Sequence, residues 1–442
     1  MTARVSLYEY DKLDTRQRAA LLLRTEADLS DFMAQVKPII AAVKAEGDEA
    51  LARFAREFDN AAVEADDLKA SEADFEAALE RLEPEVTAAI EYAVDNIRRF
   101  HEAQKPEEMW MNEIRPGAFA GDRFRPIPSV ACYVPRGKGS FPSVVMMTTV
   151  PAVVAGVERI VVITPPGPDG KVDDATLVAA RLAGVSDVYK CGGAQAVAAV
   201  AFGTATVPKC HKIVGPGSPY VVAGIRSLSD VIEPGTPAGP SESIILADST
   251  ANARIAALDA IIESEHGTDS STYLVTDSMA VAEAARAAIP QYWARMGKRW
   301  AGHSQAVLGG AQGGIIVMPD MGAAVDFVNA YAPEHLQILG ADPHAYLNRI
   351  DNAGEILLGD HTPGSLGNFV LGPNAVLPTS GAAMTHSALS VFDFMKRTSV
   401  AYVTKAGYPE MARHARVLAT YEGFDGHANA VSPLRDEALE DS

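Results

Sequence analysis

The chain has 442 residues, of which 48% are hydrophobic and 21% charged, as in a soluble globular protein with more than one domain. Its formal net charge of -19 repels phosphate backbones and anionic lipid, which argues against nucleic acid and membrane surfaces as partners. Three cysteines, Cys132, Cys191 and Cys210, have no metal-type spacing, and the N-terminus has no apolar signal segment. We therefore expect a cytoplasmic protein without disulfides.

Residues 1 to about 110 predict helices, because apolar residues recur three and four apart among charged ones. From about residue 127, short β-branched runs alternate with Ala-rich helical stretches and Gly/Pro turns, a pattern typical of parallel α/β sheets. The predicted strands lie within 129–135, 159–167, 187–193, 211–217, 243–248, 272–277, 314–320, 335–339 and 355–360. The last sixty residues again predict helices.

This pattern predicts an α/β fold of two Rossmann-like parallel-sheet domains with helical N- and C-terminal extensions. We assign residues 1–25 to the N-terminal extension and 379–442 to the C-terminal extension. Residues 26–127 and 235–378 form the first α/β domain in this division, and residues 128–234 form an α/β domain inserted in it.

Two glycine-rich turns, at 192–200 and 214–220, follow predicted strands. Glycine lets the backbone approach a ligand there, and a helix N-terminus offers free N–H groups to phosphate. Neither turn matches the full dinucleotide-binding fingerprint, so each taken alone is most simply a tight turn between strand and helix.

Two acidic residue–histidine pairs could carry chemistry. Glu263 and His266 are three apart on one helix face, and both residue types bind zinc, although a surface pair is the simpler interpretation. Glu334 and His335 stand at a helix-to-strand junction after Pro333, where a histidine can take a proton near neutral pH or lie in a capped, solvated turn.

Two further segments offer candidate ligands. The stretch 361–381 is dense in Gly and Pro, and its Asn368 is either an oxygen ligand or a residue that bonds its own turn. Near the C-terminus, Glu422 and His427 flank a Gly-containing loop, in which the histidine is either a ligand or simply exposed.

The order and spacing of the motifs together resemble the histidinol dehydrogenase family from roughly residue 25 to 435. The motifs are YVP, FPS, PAVVAG, GGAQAVAA, KIVGPG, AGPSE, ESEHG, APEHL, NAVLPTSG, SVFDFMKRTS and EGFDGHANAV. The resemblance implies two NAD-dependent steps, from alcohol through aldehyde to acid, one zinc per site and an intertwined homodimer. It implies no catalytic cysteine, because the acid forms through a hydrated aldehyde, so Cys132 and Cys191 are interpreted as buried packing residues.

By this resemblance, His335 is the general base that takes the hydroxyl proton, and Glu334 activates the water that hydrates the aldehyde. Zinc would hold the substrate and polarise its oxygen.

The zinc ligands implied by the resemblance are Glu263, His266, Asn368 and, from the partner subunit of a dimer, His427. Glu263 stands where the family has Gln, and Asn368 stands where it has Asp. The formal charge of the ligand set is therefore unchanged, and both side chains keep oxygen donors. We interpret this as a retained zinc site with the carboxylate moved.

Tyr133, Pro135 and Gln195 fall on family positions near NAD. Ser218 stands at a cofactor position where the family commonly has Asn, and Arg136 replaces a usual Gly. The resemblance thus places NAD on the inserted domain, and zinc and the acid–base pair on the first domain.

The substrate-side positions depart most from the family pattern. Gly364 replaces a glutamate that helps to bind the substrate's ammonium, and Ala375 replaces a histidine near its imidazole. Ser143, Ser241 and Glu422 fall on substrate-side positions as well. A pocket with one carboxylate fewer near zinc favours a substrate that carries an anion.

Arg136, His386, His361 or Lys396 could approach such an anion. These departures resemble the sulfopropanediol 3-dehydrogenase branch of the family, which converts 2,3-dihydroxypropane-1-sulfonate to 3-sulfolactate with two NAD. Histidinol oxidation, oxidation of another polyol and a non-catalytic paralogue are the alternatives.

Overall fold

A computed structural model describes residues 4–24, 29–136 and 139–440 of the chain. Residues 1–3 and 25 of the predicted N-terminal extension lie outside the described residues.

The strands are β1 (Leu7–Glu9), β2 (Met109–Arg115), β3 (Ala118–Pro126), β4 (Ser129–Tyr133), β5 (Arg159–Thr164), β6 (Asp187–Lys190), β7 (Lys212–Val214), β8 (Glu233–Pro234), β9 (Glu242–Ala247), β10 (Ser271–Thr276), β11 (Gly313–Val317), β12 (His335–Leu339), β13 (Glu355–Leu358) and β14 (Met395–Val403). The helices are α1 (Thr15–Leu21), α2 (Ser30–Glu46), α3 (Asp48–Phe58), α4 (Glu72–Arg81), α5 (Pro84–Gln104), α6 (Pro142–Ala155), α7 (Asp174–Ala183), α8 (Gly193–Phe202), α9 (Pro219–Ser227), α10 (Ala253–Ile262), α11 (Met279–Trp293), α12 (Lys298–Leu308), α13 (Met321–Tyr331), α14 (His344–Leu347), α15 (Gly364–Phe369), α16 (Tyr408–Tyr421), α17 (Asp425–Ala430) and α18 (Pro433–Glu440).

Two parallel sheets form the first of two units, which comprises the described residues within Met1–Lys105 and Ile127–Phe394. One sheet has the strand order β1-β11-β10-β9-β12-β13 and the other β6-β5-β4-β7-β8. Strands such as β4 and β9 are buried along their whole length, because helices cover both faces of a parallel sheet. The predicted α/β fold class is confirmed.

The second unit comprises Pro106–Pro126 and the described residues from Met395 onward. It contains an antiparallel sheet of order β14-β3-β2 and the helices α16, α17 and α18. The sequence predicted none of these strands, and the structure corrects the entirely helical C-terminal extension. Most of β2 and β14 is exposed, so neither strand carries the buried apolar run that marks the strands of the parallel sheets.

The N-terminal segment also differs from the helical prediction, because β1 adds a strand to the edge of the six-stranded sheet before α1 begins. Helices α2 to α5, which the predicted division placed with this sheet, pack against α6 to α9 around the five-stranded sheet. An amphipathic pattern gives a helix its buried face without specifying the partner. The domain boundaries themselves stay a prediction.

Among the described residues, we find no helix that is both long and apolar enough to cross a membrane.

Candidate functional site

Buried polar side chains gather at the amino ends of the six-stranded sheet. Glu242 is the first residue of β9, His335 the first of β12 and Glu355 the first of β13. His335 pairs in register with Ser243 on one side and with Glu355 on the other. The sequence analysis placed the Glu–His pair at a helix-to-strand junction, and this junction lies at the amino end of the strand. Open α/β sheets usually bind ligands at the opposite, carboxyl end of their strands.

The turn into β12 sets the position of Glu334. Helix α13 ends at Tyr331, and the left-handed conformation of the next residue, Ala332 (φ 50), redirects the chain into the strand. A side chain at Gly354 would place its Cβ 2.6 Å from the carbonyl oxygen of Glu334, so glycine is needed for this close approach. The Glu334 side chain is buried, and its Oε2 accepts a hydrogen bond from the backbone N–H of Glu242 at 2.9 Å.

Carboxylates approach both nitrogens of the His335 ring. Nδ1 lies 2.9 Å from Oε2 of Glu355, whereas Nε2 lies 3.8 Å from Oε1 of Glu334 and 3.9 Å from Oε1 of Glu263. Burial alone would lower the pKa of His335, but these three carboxylates raise it to about 10. A cation bound by Glu263 would offset one of the negative charges and lower this pKa again.

Glu263 lies at the end of α10, in a short 3-10 turn formed by Glu263–Glu265. Nδ2 of Asn368 donates a hydrogen bond to its Oε1 at 2.7 Å, and Nδ1 of His266 lies 2.8 Å from its Oε2. Burial would raise the pKa of Glu263, but the charges of His335 and His266 hold it at about 2. The structure thus brings together two residue pairs that are about seventy positions apart.

Burial raises the pKa of Glu334 to about 8. The positive charge of His335 lowers this pKa, and the negative charge of Glu263 raises it. Two neighbouring carboxyl groups are therefore driven in opposite directions. Such separation is typical of sites that move protons.

The side chains of Glu263, His266 and Asn368 offer oxygen and nitrogen donors of the kinds that zinc accepts. Oε2 of Glu263 is buried with Nδ1 of His266 2.8 Å away, so a carboxylate oxygen and an imidazole nitrogen, both donors that zinc accepts, face each other. Within the described ranges, no three His, Cys, Asp or Glu side chains are grouped to hold a metal ion. The cluster therefore fits zinc only with the Asn368 amide and a donor from elsewhere.

His427 and Glu422 belong to the second unit. Both are exposed, with Glu422 at the C-terminal end of α16 and His427 on α17, where its ring packs against Phe424 at a centroid distance of 5.4 Å. Their predicted roles at the site stay predictions.

The predicted NAD-side residues lie at or after the carboxyl ends of strands in the five-stranded sheet. Tyr133 ends β4 and is buried, and its hydroxyl accepts a hydrogen bond from the backbone N–H of Gly193 at 3.0 Å. Pro135 follows it, Gln195 is buried on α8 after β6, and Ser218 is exposed just before α9. A dinucleotide binds at this edge in related architectures.

Of the remaining predicted substrate residues, Ser143 lies half-buried in the first turn of α6. Ser241 precedes β9, and its hydroxyl lies 2.9 Å from Nδ1 of His266, so it belongs to the cluster. Gly364 begins α15, and a Cβ there would lie 3.9 Å from Oε1 of Glu263. Of these three positions, Ser241 and Gly364 therefore lie beside the candidate metal ligands.

Ala375 is half-buried in the loop after α15. The preceding residue, Asn374, anchors this loop: its Nδ2 donates to the carbonyl oxygen of Met147 at 2.6 Å, and its Oδ1 accepts from the N–H of Val376 at 2.9 Å. The loop position is therefore fixed by buried contacts, while the side chain of Ala375 adds little volume.

The candidate cations differ in their surroundings. Nη1 of Arg136 donates to the carbonyl oxygen of Lys171 at 3.1 Å, next to the five-stranded sheet. His361 and His386 are exposed in the first unit, and Lys396 is exposed on β14 in the second. Arg136, His361 and His386 thus lie on the unit that contains Glu263, and Arg136 is the one of them that is hydrogen-bonded beside the five-stranded sheet.

The sequence analysis missed three residues of the cluster: Glu355, Glu242 and Arg24. Nε of Arg24 donates to Oε1 of Glu242 at 2.9 Å, and its guanidinium lies 4.0 Å from the ring centroid of Tyr331. The available signal for the two glutamates was their position at the start of predicted strands: Glu242 directly precedes 243–248, and Glu355 is the first residue of 355–360.

All three cysteines are buried thiols. Burial raises the pKa of Cys132 and of Cys210 to about 12, and raises that of Cys191 further. Thiols of this kind are unreactive, and the interpretation of Cys132 and Cys191 as packing residues is confirmed.

Two parallel sheets with a buried carboxylate–imidazole cluster define an α/β protein with a site suited to proton transfer. A model of the histidinol dehydrogenase family matches residues 22–434, and the chain belongs to that family. It is therefore an NAD-dependent enzyme that oxidises an alcohol through an aldehyde, with the transfer of four electrons.

Known proteins match the chain over nearly its whole length. Histidinol dehydrogenase homolog 2 of Mesorhizobium japonicum is 61% identical over 435 residues, which cover 98% of this chain and 99% of that protein. Histidinol dehydrogenase of a Synechocystis species is 47% identical and covers 95% and 96%. The crystal structure of histidinol dehydrogenase from Elizabethkingia anophelis has a TM-score of 0.93 at 32% identity and covers 99% of both chains.

Proposed function

We propose that the protein is a zinc-dependent sulfopropanediol 3-dehydrogenase, which oxidises 2,3-dihydroxypropane-1-sulfonate to 3-sulfolactate. The observation that carries this proposal is the position of Gly364, whose missing side chain would begin 3.9 Å from Oε1 of Glu263. A glutamate at this position would bring a second carboxylate towards Glu263. Its absence removes the group that suits an ammonium and lowers the negative charge beside the reacting end.

Ala375 supports the same substrate class. The loop that carries it is held by Asn374, so a histidine at 375 would have a defined position, and alanine removes that imidazole. A pocket without the carboxylate and without the imidazole favours a small substrate with an anionic end. His361 and His386 are the cations that we propose to face the sulfonate.

His335 and Glu334 perform the proton transfers in this proposal. Nε2 of His335 takes the proton of the primary hydroxyl while the carbon-bound hydride passes to NAD. Glu334 would then activate the water that adds to the aldehyde, and the resulting hydrate would give a hydride to a second NAD and a proton to His335, leaving the acid. Ser143 and Ser241 complete the substrate contacts, and Glu422 joins them from the second copy of the chain that supplies His427. Tyr133, Pro135, Gln195 and Ser218 bind the dinucleotide.

Zinc would be bound by Glu263, His266, Asn368 and, from a second copy of the chain, His427, and would supply a Lewis acid for the substrate oxygen. We therefore propose a homodimer with one zinc per site, in which the two chains share their sites. Because the net charge of -19 repels anionic partners, we propose that the protein binds neither nucleic acid nor membrane surfaces. We also propose a cytoplasmic location.

The second candidate function is that of a histidinol dehydrogenase, which oxidises L-histidinol to L-histidine. The Synechocystis relative and the Elizabethkingia anophelis crystal structure carry that name, which favours this alternative. A dehydrogenase of another polyol would use the same chemistry. A non-catalytic paralogue is the weakest alternative, because Glu334 and His335 form a buried cluster with Glu263.

The test is NADH formation by the zinc-loaded protein with 2,3-dihydroxypropane-1-sulfonate and with L-histidinol, alongside His335→Ala as the inactive control. We expect two NADH per sulfonate diol consumed and no turnover of histidinol. Efficient oxidation of histidinol without oxidation of the diol would overturn the proposed substrate. Equal rates with wild-type and His335→Ala would overturn the assignment of the base.

A further inference from the structure

Glu355 is a buried carboxylate for which the reaction proposed above has no role. It is the first residue of β13, directly opposite His335 in the register of two neighbouring parallel strands. Side chains in register lie on the same face of a sheet, and here Oε2 of Glu355 lies 2.9 Å from Nδ1 of His335. The two side chains are 5% and 8% exposed, so water cannot replace either partner freely.

We propose that Glu355 is a positioning residue that holds the proton of His335 on Nδ1 and thereby presents Nε2 as the nitrogen that takes the substrate proton. A neutral imidazole has one N–H and one acceptor nitrogen, and an ionised carboxylate can only accept. In the neutral ring, a hydrogen bond from Nδ1 to Glu355 leaves the lone pair on Nε2, which faces Glu334 and Glu263 at 3.8 and 3.9 Å.

The same contact serves after proton transfer. When the hydroxyl proton moves to Nε2 and the hydride to NAD, the ring becomes a cation with a proton on each nitrogen. The Glu355 carboxylate then lies next to a positive charge in a site of low dielectric, where such a pair is strong. The inference rests on the oxidation of an alcohol with His335 as base, and it does not depend on which alcohol is the substrate.

Gly367 on α15 makes room for this carboxylate. A Cβ at position 367 would lie 2.6 Å from Oε1 and 3.1 Å from Oε2 of Glu355, so any side chain there would displace the carboxylate from its present position. Oε1 of Glu355 is buried and accepts no hydrogen bond from the described residues. A buried oxygen without a partner destabilises the fold, so the contact with His335 is the one that accounts for a glutamate here.

The first test compares Glu355→Gln and Glu355→Ala with wild-type enzyme, using whichever alcohol the wild-type oxidises. We expect kcat to fall about tenfold for Gln and on the order of 10²-fold for Ala, with KM changed less than about threefold. Ser365→Ala, on the exposed side of α15, is the control and should leave kcat unchanged. Thermal unfolding and bound zinc are measured for each variant to verify that the site is intact.

A double-mutant cycle distinguishes positioning from a general structural effect. In a His335→Asn background, adding Glu355→Gln should cost no further activity, because the residue it positions is gone. Gly367→Ala provides an independent approach, since its Cβ displaces the Glu355 carboxylate without removing it. We expect its loss of kcat to match that of Glu355→Ala and not to add to it.

Wild-type kcat in Glu355→Gln and Glu355→Ala, or a loss of equal size with and without His335, would overturn the inference. The failure of the proposed function would look different: turnover of histidinol in place of the sulfonate diol would overturn the substrate proposal alone. The variants of Glu355 would then be compared on histidinol, with the same expected losses.

Discussion

Asn368 donates a hydrogen bond to Glu263 across 2.7 Å, so the two positions at which the candidate zinc ligands depart from the family pattern are in contact. The resemblance to the family implies Gln and Asp at the positions of Glu263 and Asn368. The carboxylate and the amide have therefore exchanged places within one hydrogen-bonded pair. The exchange conserves the charge, whereas either change alone would remove the carboxylate or bring two of them together.

We predict that the two positions behave as a coupled pair. Glu263→Gln alone should lower zinc affinity about 10–100-fold, because the pair loses its carboxylate. Asn368→Asp alone should lower the thermal stability of the zinc-free protein, because two carboxylates would lie in contact. The double variant should recover both properties, as measured by chelator competition and thermal unfolding. Additive losses in the double variant would contradict the coupling.

Substrate choice should follow positions 364 and 375. A Cβ at Gly364 would meet Ile262 and Glu263 at 3.6 to 3.9 Å, which is ordinary contact, so a side chain can be added there. Gly364→Glu combined with Ala375→His should gain histidinol oxidation and lose at least about tenfold in kcat/KM for the sulfonate diol. Gly364→Ala adds volume without charge, so its loss of kcat/KM for the sulfonate diol should be smaller than that of the double variant. A double variant that still prefers the diol would place specificity elsewhere.

Sharing of sites between two chains can be tested by mixing inactive variants. His427→Ala and Glu334→Ala each disable every site in their own dimers. If His427 serves the other chain's site, a mixed dimer has one site with both lesions and one with neither. Random exchange of subunits should then restore about a quarter of wild-type activity. Absence of any recovery, with exchange verified by differently tagged chains, would show that His427 acts within its own chain.

The sequence predicted all strands of the parallel sheets except β1 and β8, together with the two acid–histidine pairs, because these signals are local. Glu263 and His266 share a helix turn, and Glu334 and His335 are adjacent, so spacing alone brings each pair together. The resemblance supplied Asn368 as a ligand, but its hydrogen bond to Glu263 depends on how α15 packs against α10. Contacts of that kind carry no periodic signal.

Glu355 shows the same limit from another direction. It is separated from His335 by twenty positions, and only the register of β12 and β13 places the two side chains together. A glutamate before an apolar strand is as well explained by a solvated strand end. The sequence also contains no sign that β1 forms the edge strand of the six-stranded sheet. Strand order is set by tertiary packing, and β1 has only three residues, too few for a periodic pattern.

Asp259, on α10 one turn before Glu263, illustrates how burial affects stability away from the proton-transfer groups. It is 5% exposed, and its Oδ2 accepts no hydrogen bond from the described residues. Burial raises its pKa from 3.8 to about 6, opposed by a hydrogen bond from Gln337 and aided by the charge of Asp360. The folded protein therefore binds this proton more tightly than the unfolded chain does.

Asp259→Asn should consequently stabilise the protein at neutral and alkaline pH. The ionised carboxylate destabilises the fold above about pH 6, by up to about 3 kcal/mol at about 1.4 kcal/mol per unit of pKa, and this effect is nearly gone at about pH 4. Thermal unfolding should therefore separate the variant from wild-type at about pH 8 and bring the two together as the pH falls. Asp326→Asn, exposed on α13, is the matched control and should change stability by less than about 0.5 kcal/mol. A stabilisation by Asp259→Asn that is constant with pH would show that the ionisation of Asp259 is not its source.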